Sequence, residues 1–189
     1  MSEPRFVGLA ARGLLTLPTR QALESRLALP SSTEPKALSP EAFAILIAVC
    51  ERLRPPYNRP TALEIALGVD ARIGNDSDGW RYDALPPDVE AHERGLRALD
   101  AEAKVVFGRP FADLDDRADD LIRKAQKGEV SAPEWEGVPP VRFFEELLAG
   151  MAVYVYSRPW AQDAMGYVGY ADVRGWRAIG PDEMEDWEL

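Results

Sequence analysis

Residues 39–54 constrain this chain more than any other stretch. Ser39-Pro40-Glu41-Ala42 is a helix-start signal: the serine caps free amides, proline suits the first turn, and an early glutamate complements the dipole. The apolar run Phe43-Ala44-Ile45-Leu46-Ile47-Ala48-Val49-Cys50 follows, and Pro55-Pro56 ends the helix near Arg54. A helix apolar nearly all round belongs in a core, so a helical domain must be packed around this one. Cys50 is the only cysteine, so no internal disulfide forms. Its apolar setting predicts a buried, unreactive thiol.

The rest of the chain supplies the other helices. Residues 61–69 suggest a second, closed by Gly68 or by the turn at 75–79. A third begins after Pro86-Pro87, runs through Val89, Leu96, Leu99, Ala103 and Val106, and ends at Gly108. Its apolar residues recur at three- and four-residue steps among charges. A fourth runs over 117–127, with acidic residues at its start, basic ones at its end, and Gly128 as its stop. A fifth spans 141 to about 156, after a Pro/Glu/Trp loop at 132–140. From Trp160 onward aromatics and glycines show no period. The fold class is all-α: about five helices with an irregular, aromatic-rich C-terminal segment. Residues 1–38, rich in Pro, Ser and Thr, read as an irregular arm, 39–180 as the helical domain and 181–189 as an acidic tail.

Several chemistries are excluded by what is missing. The net charge of −10 argues against a phosphate-backbone binder, which needs clustered Lys and Arg, so no nucleic-acid partner is expected. His92, the sole histidine, sits in Glu90-Ala91-His92-Glu93 and reads as part of a solvated face. No CxxCH, P-loop, GxGxxG or nucleophile elbow occurs. Gly166-Tyr167-Val168-Gly169 opens no helix and cradles no nucleotide. Asp115, Asp116, Asp119 and Asp120 lack the alternation and central glycine of a calcium loop, so a solvated helix face is expected there. No cofactor, metal or catalytic residue is expected in this chain. No window reaches the ~18 apolar residues of a membrane span. The N-terminal sequence shows no paired arginines, so a cytoplasmic location is expected.

Four segments then appear in order: residues 95–103 (GLRALDAEA), 107–114 (FGRPFADL), 143–148 (FFEELL) and 175–180 (GWRAIG). Together with residues 39–55 this pattern resembles the gluconate 2-dehydrogenase subunit 3 family over about residues 38–180. The resemblance implies the small, non-catalytic subunit of a flavin-dependent sugar or polyol dehydrogenase. In such complexes a GMC-type flavoprotein large subunit carries FAD and the catalytic histidine, and the small subunit supports its maturation and stability. Many also contain a cytochrome c subunit. Exported members of the family place the complex in the periplasm. Here the usual twin-arginine signal is absent, and the family's Tyr-Gly-Gly-Asn is replaced by Tyr167-Val168-Gly169-Tyr170.

The residues suggest where such a partner docks. The fifth helix carries Phe143, Phe144, Leu147, Leu148, Met151, Val153, Tyr154, Val155 and Tyr156, more than one apolar stripe requires. It is therefore either wholly buried in its own fold or split between core and partner. Beyond it, Trp160, Met165, Tyr167, Tyr170 and Trp176 alternate with Arg158, Arg174 and Arg177. An aromatic buries ~150–250 Å², so four of them supply most of the ~800 Å² each side gives a standard interface. Trp, Tyr and Arg are the usual anchors. The expected partner residues are Phe143, Phe144, Tyr154, Tyr156, Arg158, Trp160, Tyr167, Tyr170, Trp176 and Arg177. The alternative is a free-standing helical binding or regulatory module.

Overall fold

A computed structural model describes residues 4–28, 32–56, 60–75, 84–132, 134–167, 169–170 and 180–184. Among these the chain is all-α. In order come α1 (Arg5–Ala11), α2 (Leu17–Ser25), α3 (Pro40–Leu53), α4 (Ala62–Ile73) and α5 (Asp88–Phe107). A 3-10 turn at Phe111–Asp113 follows, then α6 (Arg117–Gln126), α7 (Pro140–Tyr156) and α8 (Pro159–Ala164). The chain divides into two compact units, one of Met1–Leu29 with Val155–Leu189 and one of Pro30–Tyr154.

The unit of Pro30–Tyr154 is organised around α3, which packs on α4, α5 and the 3-10 turn. Its start follows the sequence signal: Ser39 Oγ accepts from the Ala42 amide at 3.3 Å. Helix α4 opens with a capping box. The Glu64 amide donates to Thr61 Oγ1 at 3.2 Å, and the Thr61 amide donates to Glu64 Oε2 at 2.8 Å. It runs past Gly68 to Ile73 and is capped at Gly74, so of the two expected stops Gly68 is corrected and the helix ends just before Asn75. Gly68 is there for space: a Cβ at that position would stand 2.5 Å from Cγ of the Tyr154 ring on α7. Helix α5 ends on Gly108 at φ 68°, a left-handed conformation that glycine adopts without strain.

Buried and half-buried carboxylates tie the connecting segments to these helices. Asp70 on α4, 1% exposed, accepts from three successive amides, Lys36 at 2.7 Å, Ala37 at 3.1 Å and Leu38 at 2.9 Å. Glu93 accepts from the amide and hydroxyl of Ser39. Asp100 accepts from the Phe111 amide at 2.8 Å. Glu102 accepts from the Ser131 amide at 2.9 Å and its hydroxyl at 2.8 Å. Hydrogen bonds to a charged group contribute roughly 1.5–3 kcal/mol each. Part of the chain's acidity is therefore structural rather than solvating.

In the other unit α1 packs on α2 and on α8. Phe6, Leu9, Leu23 and Tyr170 form its core, with Val7, Leu14 and Leu15 against them. Among the described residues, polar contacts of Arg5 and Arg158 join the N- and C-terminal parts. The Arg5 amide donates to Asp163 Oδ2 at 2.9 Å. The Arg158 guanidinium donates to the carbonyls of Arg26 and Ala28, satisfying acceptors left free beyond α2. The expectation of an irregular N-terminal arm is thus corrected at residues 5–11 and 17–25. Thr16-Leu17-Pro18 is the same start signal as Ser39-Pro40, an N-cap position followed by a first-turn proline. The C-terminal segment likewise gains a helix in α8, which at six residues is too short to show a period.

Candidate partner surface

The ten residues expected at a partner surface separate by burial. Phe143 and Phe144 are 0% and 1% exposed, so neither presents surface to a partner, a correction to the sequence reading. Their rings meet edge-to-face at 5.3 Å, and Trp135 packs against both. Trp135 is held there by a two-residue turn. Glu136 and Gly137 both adopt positive φ, 54° and 82°, and Trp135 and Val138 exchange backbone hydrogen bonds across them. Phe143, Phe144, Leu147 and Met151 line the buried side of α7 at helical spacing. The breadth of the apolar face therefore resolves into a core side and a second, outward side.

That outward side includes Val153, 60% exposed, and Tyr156, 41% exposed. Tyr154 is half-buried, its ring seated on Gly68. Trp160 is half-buried and Tyr167 is 45% exposed, with neighbouring Met165 at 49%. Tyr167 donates its hydroxyl to the Gly169 carbonyl at 2.6 Å and meets the Tyr170 ring edge-on at 6.0 Å. Tyr170 itself is buried at 8%, and burial, then the nearby charge of Asp163, pushes its phenol pKa up. Arg158 is engaged with the end of α2. Trp176 and Arg177 lie outside the described residues, as does Arg174. Sequence reasoning missed Val105 (74%) and Val106 (44%) at the end of α5 and Leu17 (65%) at the start of α2. Val106 continues the period of Leu96, Leu99 and Ala103 yet is exposed, and Val105 lies off that period.

His92 and Cys50 are both enclosed. His92 is 1% exposed, which corrects the reading of a solvated face. It lies on the α5 line that carries Leu96, Leu99 and Ala103, and its ring stands edge-on to Phe143 at 5.9 Å. Its Nδ1–H donates to the Asp88 carbonyl at 2.7 Å, and Nε2 is buried with no hydrogen-bond partner among the described residues. Burial lowers its pKa below 6.5, and the Asp88 carbonyl only partly offsets this. Cys50 is fully buried, and burial raises its thiol pKa far above the usual range. The acidic run pairs locally: Arg117 donates to both oxygens of Asp115 at 2.8 and 3.1 Å, and Arg123 to Asp120 at 2.5 Å. Its hydrogen bonds from Arg117 hold Asp115 below the usual carboxylate range. Among the described residues no three metal-ligating side chains gather, and no helix is long and apolar enough to cross a membrane.

The fold is all-α, its one histidine and one cysteine are enclosed, and apolar or aromatic side chains are exposed at Val153, Tyr156, Met165 and Tyr167. Its family is specific. The sequence profile of gluconate 2-dehydrogenase subunit 3 matches residues 40–175, and the chain belongs to that family. The family is that of a dehydrogenase subunit, so the chain is a component of a dehydrogenase complex. No curated protein and no solved structure matched the chain.

Proposed function

We propose that this chain is the non-catalytic small subunit of a flavin-dependent sugar or polyol dehydrogenase. In this reading it binds a GMC-type flavoprotein large subunit, stabilises it and supports its maturation. FAD and the catalytic base belong to the large subunit, and a cytochrome c subunit accepts electrons in complexes that have one. The observation that carries the proposal is the family match over residues 40–175. The enclosure of His92 supports it, because a general base must come within hydrogen-bonding reach of the proton it takes. Docking is assigned to the exposed members of the expected set, Tyr156 and Tyr167, with half-buried Trp160 and the two residues at 176 and 177. The complex is cytoplasmic, or periplasmic as for exported relatives.

The stabilising role is tested by producing the large subunit with and without this chain. Soluble, flavin-loaded large subunit in both cases to the same extent contradicts it. Recovery that depends on this chain supports it.

A further inference from the structure

Among the described residues, the unit of Met1–Leu29 with Val155–Leu189 is built from helices too short to stand alone. Helices α1, α2 and α8 have seven, nine and six residues, whereas an isolated helix is marginal in water below about 12–15. None of the three has a side-chain cap on its N-terminus, unlike α3 and α4. What holds them is shared. Phe6 and Leu9 of α1, Leu23 of α2 and Tyr170 beyond α8 form one small core. The Arg5 amide reaches Asp163 on α8, and Arg158, at the start of α8, reaches the carbonyls of Arg26 and Ala28 beyond α2. Helix α8 itself buries Pro159, Ala161 and Gln162, none of them a large apolar side chain. Three polar atoms here, Gln162 Oε1, Asp163 Oδ1 and the Tyr170 hydroxyl, are buried with no hydrogen-bond partner among the described residues. Each is desolvated without compensation, which lowers the stability of a unit whose core is already small.

We propose that α1 and α2 are a clasp that orders α8 and the residues up to Tyr170, so that this aromatic segment keeps its shape only while the N-terminal helices are docked on it. Segments with few buried contacts open at low free energy, and those that share one core open together. The clasp lies outside the family match and acts on a segment inside it, since the match covers residues 40–175. Trp160 sits on α8, whose start is fixed by Arg158. Tyr167 meets the Tyr170 ring edge-on at 6.0 Å, and Tyr170 shares the core of Phe6, Leu9 and Leu23. The docking role of Trp160 and Tyr167 rests on the accessory-subunit reading, whereas the coupling of the helices does not. A surface that must be ordered before it binds loses affinity in proportion to the fraction ordered.

The test is hydrogen exchange on the full-length chain, compared for the wild type, Leu9→Ala and Leu23→Ala. Neither substitution lies in the segment from which the effect is read. The inference predicts that amides of residues 161–167 exchange about tenfold or more faster in each variant, together with those of α1 and α2, while α3 to α5 keep wild-type rates. Acceleration confined to α1 and α2 overturns it, and so does an equal acceleration in α3 to α5. Wild-type amides of 161–167 that exchange as fast as an unfolded chain overturn it as well. The same variants are then used to capture the flavoprotein that co-purifies with the wild type. About tenfold weaker association is expected, and capture equal to wild type overturns the clasp's part in docking. A wild type that captures no flavoprotein overturns the accessory-subunit reading, while the coupling of α1 and α2 to α8 is still decided by exchange.

Discussion

A Cβ placed on Gly95 of α5 would stand 2.7 Å from Cγ of Phe143 on α7. Both residues open segments by which the family resemblance is first read, GLRALDAEA and FFEELL. The adjacent segment joins the same core, since Phe111 is 1% exposed and its amide is held by Asp100. Three of the sequence signatures thus meet inside one unit and specify its packing. These three segments of the family pattern describe the fold.

Replacing Gly95 by Ala puts a methyl carbon against the Phe143 ring, which must shift to admit it. The expected cost is about 1–3 kcal/mol, and a chain of this size loses roughly 2–4 °C of melting temperature per kcal/mol. Phe143→Leu in the Gly95→Ala background should recover part of that loss, so the two substitutions are non-additive in a double-mutant cycle. Strictly additive effects in urea unfolding contradict the contact.

The three amides held by Asp70 give a local readout. Asp70→Asn puts an amide donor against backbone donors, and the expected cost is about 1.5–3 kcal/mol. Hydrogen exchange at Lys36, Ala37 and Leu38 should accelerate in the variant before exchange in α5 does. Unchanged protection at those three amides contradicts the assignment.

His92 sets a pH dependence with a definite sign. Its folded pKa lies below the unfolded value near 6.5, so the unfolded chain binds more protons in that window. The contribution is whole above pH 6.5 and is lost as pH falls from 6.5 through the folded pKa. The slope approaches about 1.4 kcal/mol per pH unit. Urea midpoints between pH 7.5 and 5.5 should show it, and His92→Leu should flatten it. An equal slope in that variant assigns the proton elsewhere.

Cys50 offers a simple probe of the core. Its burial and raised pKa predict no reaction of the native protein with a thiol reagent over hours, and one thiol per chain in denaturant. Rapid native labelling contradicts the enclosed α3.

How much of this was legible depends on whether a local signal existed. Helices α3 through α7 were readable because Ser39-Pro40, Pro86-Pro87, Gly108 and Gly128 punctuate long periodic runs. Helices α1 and α8 were not, being seven and six residues long and stabilised by tertiary contacts at Phe6, Leu9 and Ala161 rather than by a pattern. His92 was misplaced because its charged neighbours were weighed above its position on the Leu96–Leu99–Ala103 line. Of the candidate surface, the aromatic residue types were readable but their burial was not. Nothing in Phe143 and Tyr156 taken singly shows that one faces the core and the other solvent. That division follows only from where α4, α5 and Trp135 meet α7.

The proposed function requires that this chain bind a flavoprotein. The most direct measurement is isolation of the tagged, full-length chain from its native host, with the absorbance of the eluted complex recorded across the flavin bands. The proposed function predicts a yellow complex containing a GMC-type large subunit. It also predicts that Trp160→Ala/Trp176→Ala loses that subunit while the chain stays folded. A colourless chain that elutes alone contradicts it and leaves the helical fold serving as a free-standing binding module.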